Sequence, residues 1–416
     1  MTSIAQLPRH ADVLVVGAGP GGAATAAHAA RAGHQVVLLD SAVFPRDKTC
    51  GDGLTPRAVA EMSLLGLDAY LADRPKIVGL QMHGWGATQH IRWPSGRFPA
   101  HGSAVARTEL DDRIRIAALD RGASMVEGVK AVGVDVSDNT VRSVQVAADD
   151  GTASIRVGQL IVADGVRSPL GRMLGREWHR DTAYGVAARA YASSGRADDS
   201  WMGSDLELRD AHGTLLPGYG WVFPLGAASG RINIGVGALA TGKRPAHMAL
   251  RPTLEHYARA QTADWQLSGP PVEIASALLP MGGAVSGVAG GNWMLVGDSA
   301  ACVNPLNGEG IDYALETGRF AAARLQDGDH SHAWPALLAE HYGTAFSAAR
   351  RLAGLLTVPK AVPLLGRPGI RSTTLMSMVV RVMGNLISEE DDDLIARAWH
   401  TAGVASQRFD HRRPFH

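Results

Sequence analysis

Several stretches of this chain carry residues whose types and spacing can do chemistry. Gly17-Ala18-Gly19-Pro20-Gly21-Gly22 follows a short apolar run, and Asp40 closes the next one. Glycines at this spacing allow a tight turn, a close backbone approach to a pyrophosphate, and close packing of helix on strand. N–H groups at the start of the following helix attract phosphate, and the helix dipole adds to that attraction. An acid about 20 residues further on accepts hydrogen bonds from a ribose. Gly17, Ala18, Gly19, Gly22 and Asp40 are therefore candidate dinucleotide contacts. Two more aspartates, in Asp164-Gly165 and Gly297-Asp298, also end apolar runs. Cys50 stands in the loop Lys48-Thr49-Cys50-Gly51-Asp52-Gly53. A free cysteine is often a small packed hydrophobe, but a thiol in a glycine-rich loop can also donate or relay a proton. Cys302, in Ala-Ala-Cys-Val, reads as packing. Tyr219, Trp221 and Phe223 alternate, so on a strand all three share one face. Three aromatics on one face make either core or the wall of an apolar pocket.

The elements that must hold these residues can be read from periodicity and punctuation. Residues 13–16 and 36–39 read as buried strands, with an alanine-rich helix over 23–32 between them and Gly33 ending it. Residues 55–65 read as a helix, with Thr55 as cap and Pro56 at its first position. Thr108 or Asp111 is a candidate cap for a helix running to 120. Residues 77–98 form short strands, an excursion from the nucleotide-binding part. Residues 184–279 are mainly β, interrupted by a helix near 252–260. Residues 334–416 read as mostly helical, and 367–387 within them as one apolar helix. That helix is either core or a lipid-facing surface helix, with Leu375, Val379 and Leu386 as the lipid contacts in the second case. The expected architecture is an α/β doubly wound domain from 1–76, 104–183 and 281–330, a β-rich domain from 77–103 and 184–280, and a helical region over 331–416.

Composition narrows the class. The chain has 416 residues, 46% of them apolar, enough for two sizeable domains. Lys plus Arg and Asp plus Glu number 40 each, so charge gives no reason to expect nucleic acid as a partner. Two cysteines fit a reducing compartment and leave no disulfide framework. No signal-peptide core or membrane-spanning run is expected. The histidines form no ligand spacing, so no metal site is expected.

The glycine turn, Asp164-Gly165 and Gly297-Asp298 together resemble the FAD-binding fold of the glutathione-reductase and aromatic-hydroxylase type. That resemblance implies FAD as cofactor, with Asp298 on the ribityl chain, Arg107 reaching the cofactor, and Gly310 and Ile311 against the pyrimidine ring. The Cys50 loop and Tyr219-Gly220-Trp221-Val222-Phe223-Pro224, followed by Gly235-Val236-Gly237, are similar to geranylgeranyl reductases. A longer stretch, residues 225–234, separates the two halves of the second motif than the family pattern has. The resemblance implies that Cys50, Gly51 and Gly53 lie beside the isoalloxazine, and that Cys50, Tyr219 and Trp221 take part in catalysis. Residues 279–290 and 300–313 are similar to an actinobacterial subgroup acting on the prenyl side chain of menaquinone. The implied reaction saturates one isoprene C=C with a hydride from reduced flavin and a proton. The implied partners are menaquinone or another polyprenyl lipid and a peripheral contact with the cytoplasmic face of the plasma membrane. No second glycine fingerprint follows a strand, so the electron donor is left open between a transient nicotinamide, a ferredoxin and another reductant. The alternatives are reduction of geranylgeranyl diphosphate or phospholipid, a flavin monooxygenase or halogenase, and a flavin-free carrier of the Rab-escort type.

Overall fold

The computed structural model describes residues 3–246, 248–358, 361–388 and 390–416. The first apolar run forms strand His10–Val16, buried from Val13 onward, as a strand covered on both faces must be. It sits inside a seven-stranded sheet. The order is Ser124–Glu127, Val36–Asp40, His10–Val16, Gly151–Val162, Thr140–Ala148, Lys130–Ser137, with Trp293–Leu295 also paired to Gly151–Val162. Gly151–Val162 serves two partners along its length. Its first half runs antiparallel to Thr140–Ala148, and Leu160, Ile161 and Val162 run parallel to Trp293–Leu295. Five strands are therefore parallel. Asp40, Asp164 and Asp298 all leave from their carboxyl edge, where ligands lie in doubly wound sheets.

Helix Pro20–Arg31 starts at Pro20 rather than at 23, because Gly19 caps it and proline fits the first helical position. It packs backbone to backbone on helix Ile311–Ala323: a Cβ on Gly318 would stand 2.5 Å from the Gly21 carbonyl oxygen. Helix Arg107–Leu119 is capped by Ala106, so neither Thr108 nor Asp111 caps it. Asp111 instead lies one turn into the helix, where it can pair with Arg107.

The second sheet also has seven strands, in the order Leu267–Pro280, Tyr184–Ser194, Arg231–Ala240, Gly218–Pro224, Trp201–Asp205, Gly79–Gly84, Ala87–Arg92. Only the Trp201–Asp205 and Gly79–Gly84 pair is parallel. One face packs on helix Leu250–Ala260 through Ile232, Ile234, Leu254 and Tyr257. Tyr219, Trp221 and Phe223 look into the space between the sheets.

The C-terminal region supplies helices His330–Leu356, Ala361–Gly369, Thr373–Met383 and Leu394–Gln407. Residues 367–387 are thus not one helix. Gly369 is a poor helix residue, and Ser372 caps a new start by accepting the Leu375 N–H at 3.3 Å. Met376 and Val380 are buried against Ile77, Met82, Ile91 and Trp93, whereas Leu375 is 43% and Met378 37% exposed. Leu386, at 4% exposure, belongs to the same core and is no surface contact. Among the described residues, no helix is long and apolar enough to cross a membrane.

Candidate active site

The glycine turn is built for close approach. Gly17 has φ +104, and a Cβ there would meet the Ala163 carbonyl oxygen at 2.2 Å. At Gly22 a Cβ would meet the Gly17 oxygen at 1.8 Å. Gly19 differs: its only near neighbour is the Arg46 guanidinium at 3.5 Å, so its backbone faces open space. Asp40 accepts the Ala18 N–H at 2.7 Å and the Ala42 N–H at 2.8 Å, which aims the carboxylate along the rim of that space. Asp164 accepts the Ser168 hydroxyl and the Leu170 N–H, so its oxygens mainly hold the local turn. The Asp298 carboxylate accepts no hydrogen bond among the described residues and faces the same cavity. Gly310, at the start of helix Ile311–Ala323, leaves room for it: a Cβ there would stand 3.3 Å from Asp298 Oδ1.

Two arginines share one acid. Buried Arg107 donates to both oxygens of Asp111, from Nε at 2.5 Å and Nη2 at 2.6 Å, and Arg46 donates to Asp111 at 2.9 Å. This places Arg46 beside Gly19 and Arg107 beside Cys50. The Cys50 thiol has the Arg107 cation and the Asp52 carboxyl as its charged neighbours. Burial pushes its thiol up, and Arg107 opposes that shift only in part. At neutral pH the group is therefore a thiol, an acid rather than a nucleophile. Cys302 is fully buried, with only a long contact to the Ala300 carbonyl, and packs.

The Cys50 loop lies flat against the aromatic strand. A Cβ on Gly51 would meet Phe223 at 3.1 Å and Trp221 Nε1 at 3.4 Å, and one on Gly53 would meet Phe223 at 3.0 Å. The glycine pair on the next strand serves Trp221. Gly235 stands directly opposite it in the ladder, and a Cβ there would lie 2.1 Å from its ring. Trp221 donates its N–H to Asn233 at 2.9 Å, and Tyr219 donates its hydroxyl to the Asn307 carbonyl at 2.5 Å. Both rings have spent their polar hydrogens on the chain and present only faces and edges to the cavity.

The sequence pattern does not mark Asp52, Tyr191, Asn233 or Glu309 as site residues, and it offers Asp111 only as a helix cap. Asn233 donates to the Cys50 carbonyl at 2.9 Å and to Asp52 Oδ2 at 2.8 Å, and Tyr191 donates to the same oxygen at 2.8 Å. Burial pushes Asp52 up to about 6 against these donors. Glu309 accepts the Thr55 hydroxyl at 2.5 Å, and burial pushes it well above the carboxylate range. The one usable signal was Asn233, a lone polar residue inside the apolar strand Arg231–Ala240.

Cys50, Asp52, Arg107, Asp298, Glu309, Tyr219 and Trp221 line one cavity of about 990 Å³, with Asp111, Tyr191 and Asn233 behind its wall. It runs from Gly17, Gly19 and Asp40, past Asp298, Gly310 and Cys50, to Tyr219 and Trp221. Beyond them its walls are apolar: Leu80, Met82, Met202, Leu206, Met376 and Val380. Among the described residues, no cluster could hold a metal ion.

One cavity thus joins the sheet edge that carries the glycine turn to apolar walls, with the Cys50 loop between them. Residues 10–342 match the FAD binding domain family, and the chain belongs to it. The residues fit FAD on this structure's own terms: the open backbone at Gly19, the unpartnered Asp298 carboxylate and the buried Arg107 lie along one cavity. The chain is an FAD-dependent oxidoreductase. More particularly, it is 60% identical over 408 residues to the menaquinone reductase of Mycolicibacterium smegmatis, covering 97% of this chain and 99% of that one. The menaquinone reductase of Mycobacterium tuberculosis is 58% identical over 405 residues, covering 97% and 98%. Digeranylgeranylglycerophospholipid reductase 1 of Methanopyrus kandleri is 30% identical over 314 residues, covering 74% and 79%. A geranylgeranyl bacteriochlorophyll reductase-like structure from Thermoplasma acidophilum shares the fold, with TM-score 0.75, 20% identity and coverage of 95% and 100%. A flavin-dependent brominase shares it at TM-score 0.69 and 18% identity, covering 96% and 100%.

Proposed function

We propose that this chain saturates an isoprene double bond in the prenyl side chain of menaquinone. The observation that carries this reading is the single cavity that joins the FAD-binding edge to an apolar tunnel, with Cys50, Tyr219 and Trp221 at the junction. Relatives of 58% and 60% identity named as menaquinone reductases support it. Gly17, Ala18, Gly19, Gly22 and Asp40 would hold the adenosine and pyrophosphate end, Asp298 the ribityl chain, and Arg107, Gly310 and Ile311 the ring end. Bound FAD, once reduced, supplies the hydride. The chain must do the rest. An isolated alkene has no carbonyl to spread charge, so a proton has to reach one carbon as the hydride reaches the other. Cys50 is the acid placed for that transfer, and Arg107 stabilises the thiolate it leaves. The faces of Trp221 and Tyr219 stabilise positive charge developing on the alkene. The apolar walls hold the chain and keep water out.

The tunnel also suggests how a bilayer lipid enters. Leu365 and Met378 line the cavity and are also 50% and 37% exposed, so it opens between the last helices. Leu364 at 73% and Leu375 at 43% extend this apolar rim, and Arg367 and Arg371 are exposed beside it. An apolar rim flanked by cations is suited to lie on an anionic membrane surface.

The test is anaerobic. Reduced holoprotein is mixed with menaquinone, and the lipid is read by mass spectrometry. The expected product gains two hydrogens in the side chain and none in the ring, as FAD reoxidises one for one. A product carrying oxygen or halogen, or reoxidation without a change in the lipid, overturns the reading.

A further inference from the structure

We propose that Asp52 holds the proton that returns to Cys50 after each turnover, within a unit that also contains Tyr191 and Asn233. The inference rests on the reading of Cys50 as the acid of the proposed reaction. Its support is geometric. Asp52 is fully buried, with φ 64, in the left-handed region that aspartate tolerates better than most residues. That conformation turns its carbonyl to the Val105 N–H at 2.9 Å, and Asp52 and Cys50 line the same cavity. Its carboxyl is gripped on one side only. Oδ2 accepts Tyr191 and Asn233, whereas Oδ1 is buried with no partner among the described residues. Asn233 ties the assembly together by donating to both Cys50 O and Asp52 Oδ2 while accepting from Trp221.

An ionised carboxylate with one oxygen bare in a dry site is costly, so the group keeps a proton that ordinary aspartates lose. Burial raises Asp52 for this reason, against Asn233, Tyr191, Arg107 and Arg189. Two donors on Oδ2 keep the second charge state accessible. The group can therefore both hold and release a proton near neutral pH.

The step balances as follows. The Cys50 S–H bond breaks and a C–H bond forms at one alkene carbon, while the other carbon takes the hydride of the proposed reaction. The sulfur keeps its electron pair as a thiolate beside Arg107. Once the product has left, water in the cavity that Cys50 and Asp52 both line carries the proton: the Asp52 O–H bond breaks, the S–H bond re-forms, and the carboxylate keeps the donors Tyr191 and Asn233. Water resupplies the carboxyl before the next turnover.

Two measurements on FAD-bound protein test this. The first needs no lipid: the rate of Cys50 alkylation by iodoacetamide against pH, read by mass spectrometry, with fully buried Cys302 as the internal control. In the wild type the Asp52 carboxylate opposes thiolate formation. Asp52→Asn removes that charge and should lower the alkylation midpoint by about one pH unit. Tyr191→Phe keeps the charge and should not lower it. Equal shifts in both variants would reduce the network to loop positioning, and no shift in Asp52→Asn would sink the proposal. The second is the time course with menaquinone and excess dithionite. Asp52→Asn should keep the first turnover of reduced lipid and lose at least about tenfold in the steady state, because only the return of the proton is impaired. Loss of the first turnover in equal measure would count against it. If wild-type protein reduces no lipid, the functional reading fails, and the alkylation midpoints still decide whether Asp52 governs the Cys50 proton.

Discussion

At the scale of single residues, the site depends as much on absent side chains as on present ones. Trp221 can lie flat on its sheet because its ladder partner is Gly235, whose added Cβ would stand 2.1 Å from the indole and 2.6 Å from the Ala188 carbonyl oxygen. Gly235→Val therefore has to tilt the ring into the cavity. It is expected to cost about 1–3 kcal/mol in stability and to abolish lipid reduction while leaving the flavin spectrum intact. Unchanged turnover would show that the ring position does not matter. Asp298 makes the opposite case, a carboxylate without a hydrogen-bond partner among the described residues. Asp298→Ala should weaken FAD binding roughly 10- to 100-fold, the loss expected for a charge-assisted hydrogen bond. It should leave the apoprotein's unfolding free energy in urea unchanged within about 0.5 kcal/mol. A destabilised apoprotein would make the residue structural. Asp298 and the glycines were legible because their meaning is local: a strand end, a turn, a helix start. Asp52, Tyr191 and Asn233 were not, because their bond partners lie on different strands and a distant loop. No periodicity within one segment encodes that meeting.

At the scale of elements, the last helices show where sequence patterning misleads. Leu375, Val379 and Leu386 share an apolar segment, yet only Leu375 is exposed, since the chain breaks at residues 370–372 and turns the next helix onto the second sheet. Apolar content alone could not separate a core-facing stripe from a lipid-facing one. The core that settles it is built on the second sheet by residues 77–93 and 202, far away in sequence. The membrane test changes accordingly. Replacing Leu364, Leu375 and Met378 by serine should release the protein from anionic vesicles in sedimentation, with FAD content and thermal midpoint retained. Leu386→Ser should instead unfold the C-terminal region, because it buries an unpaired hydroxyl. Retained pelleting in the triple variant would remove this surface from consideration.

At the scale of the whole molecule, segments far apart in sequence are joined where helix Ile311–Ala323 begins. Thr55 bonds Glu309, Asn304 donates to the Met383 carbonyl at 3.0 Å, and Asn385 donates to Asp312 at 2.9 Å. The C-terminal wall of the tunnel is thus tied to the FAD-binding domain through buried polar groups rather than by a lipid-like seam. Asp312 is fully buried, and its Oδ1 has no partner among the described residues. Burial pushes it up to about 6 from its ordinary 3.8, and Arg57 and Asn385 offset this only in part. The folded chain therefore binds this proton more tightly than the unfolded chain does. The stabilisation is complete below the unfolded value and disappears as pH rises through about 6. Between pH 5 and 7.5 this one group should remove about 1 kcal/mol of unfolding free energy. Asp312→Asn takes away the titrating proton while keeping the side chain's shape. In urea titrations at saturating FAD, so that ligand linkage is constant, the wild type should lose about 1 kcal/mol more than the variant across that range. Parallel pH profiles would mean that Asp312 is ionised in the fold, and that the junction holds its charge through Arg57 instead of excluding it.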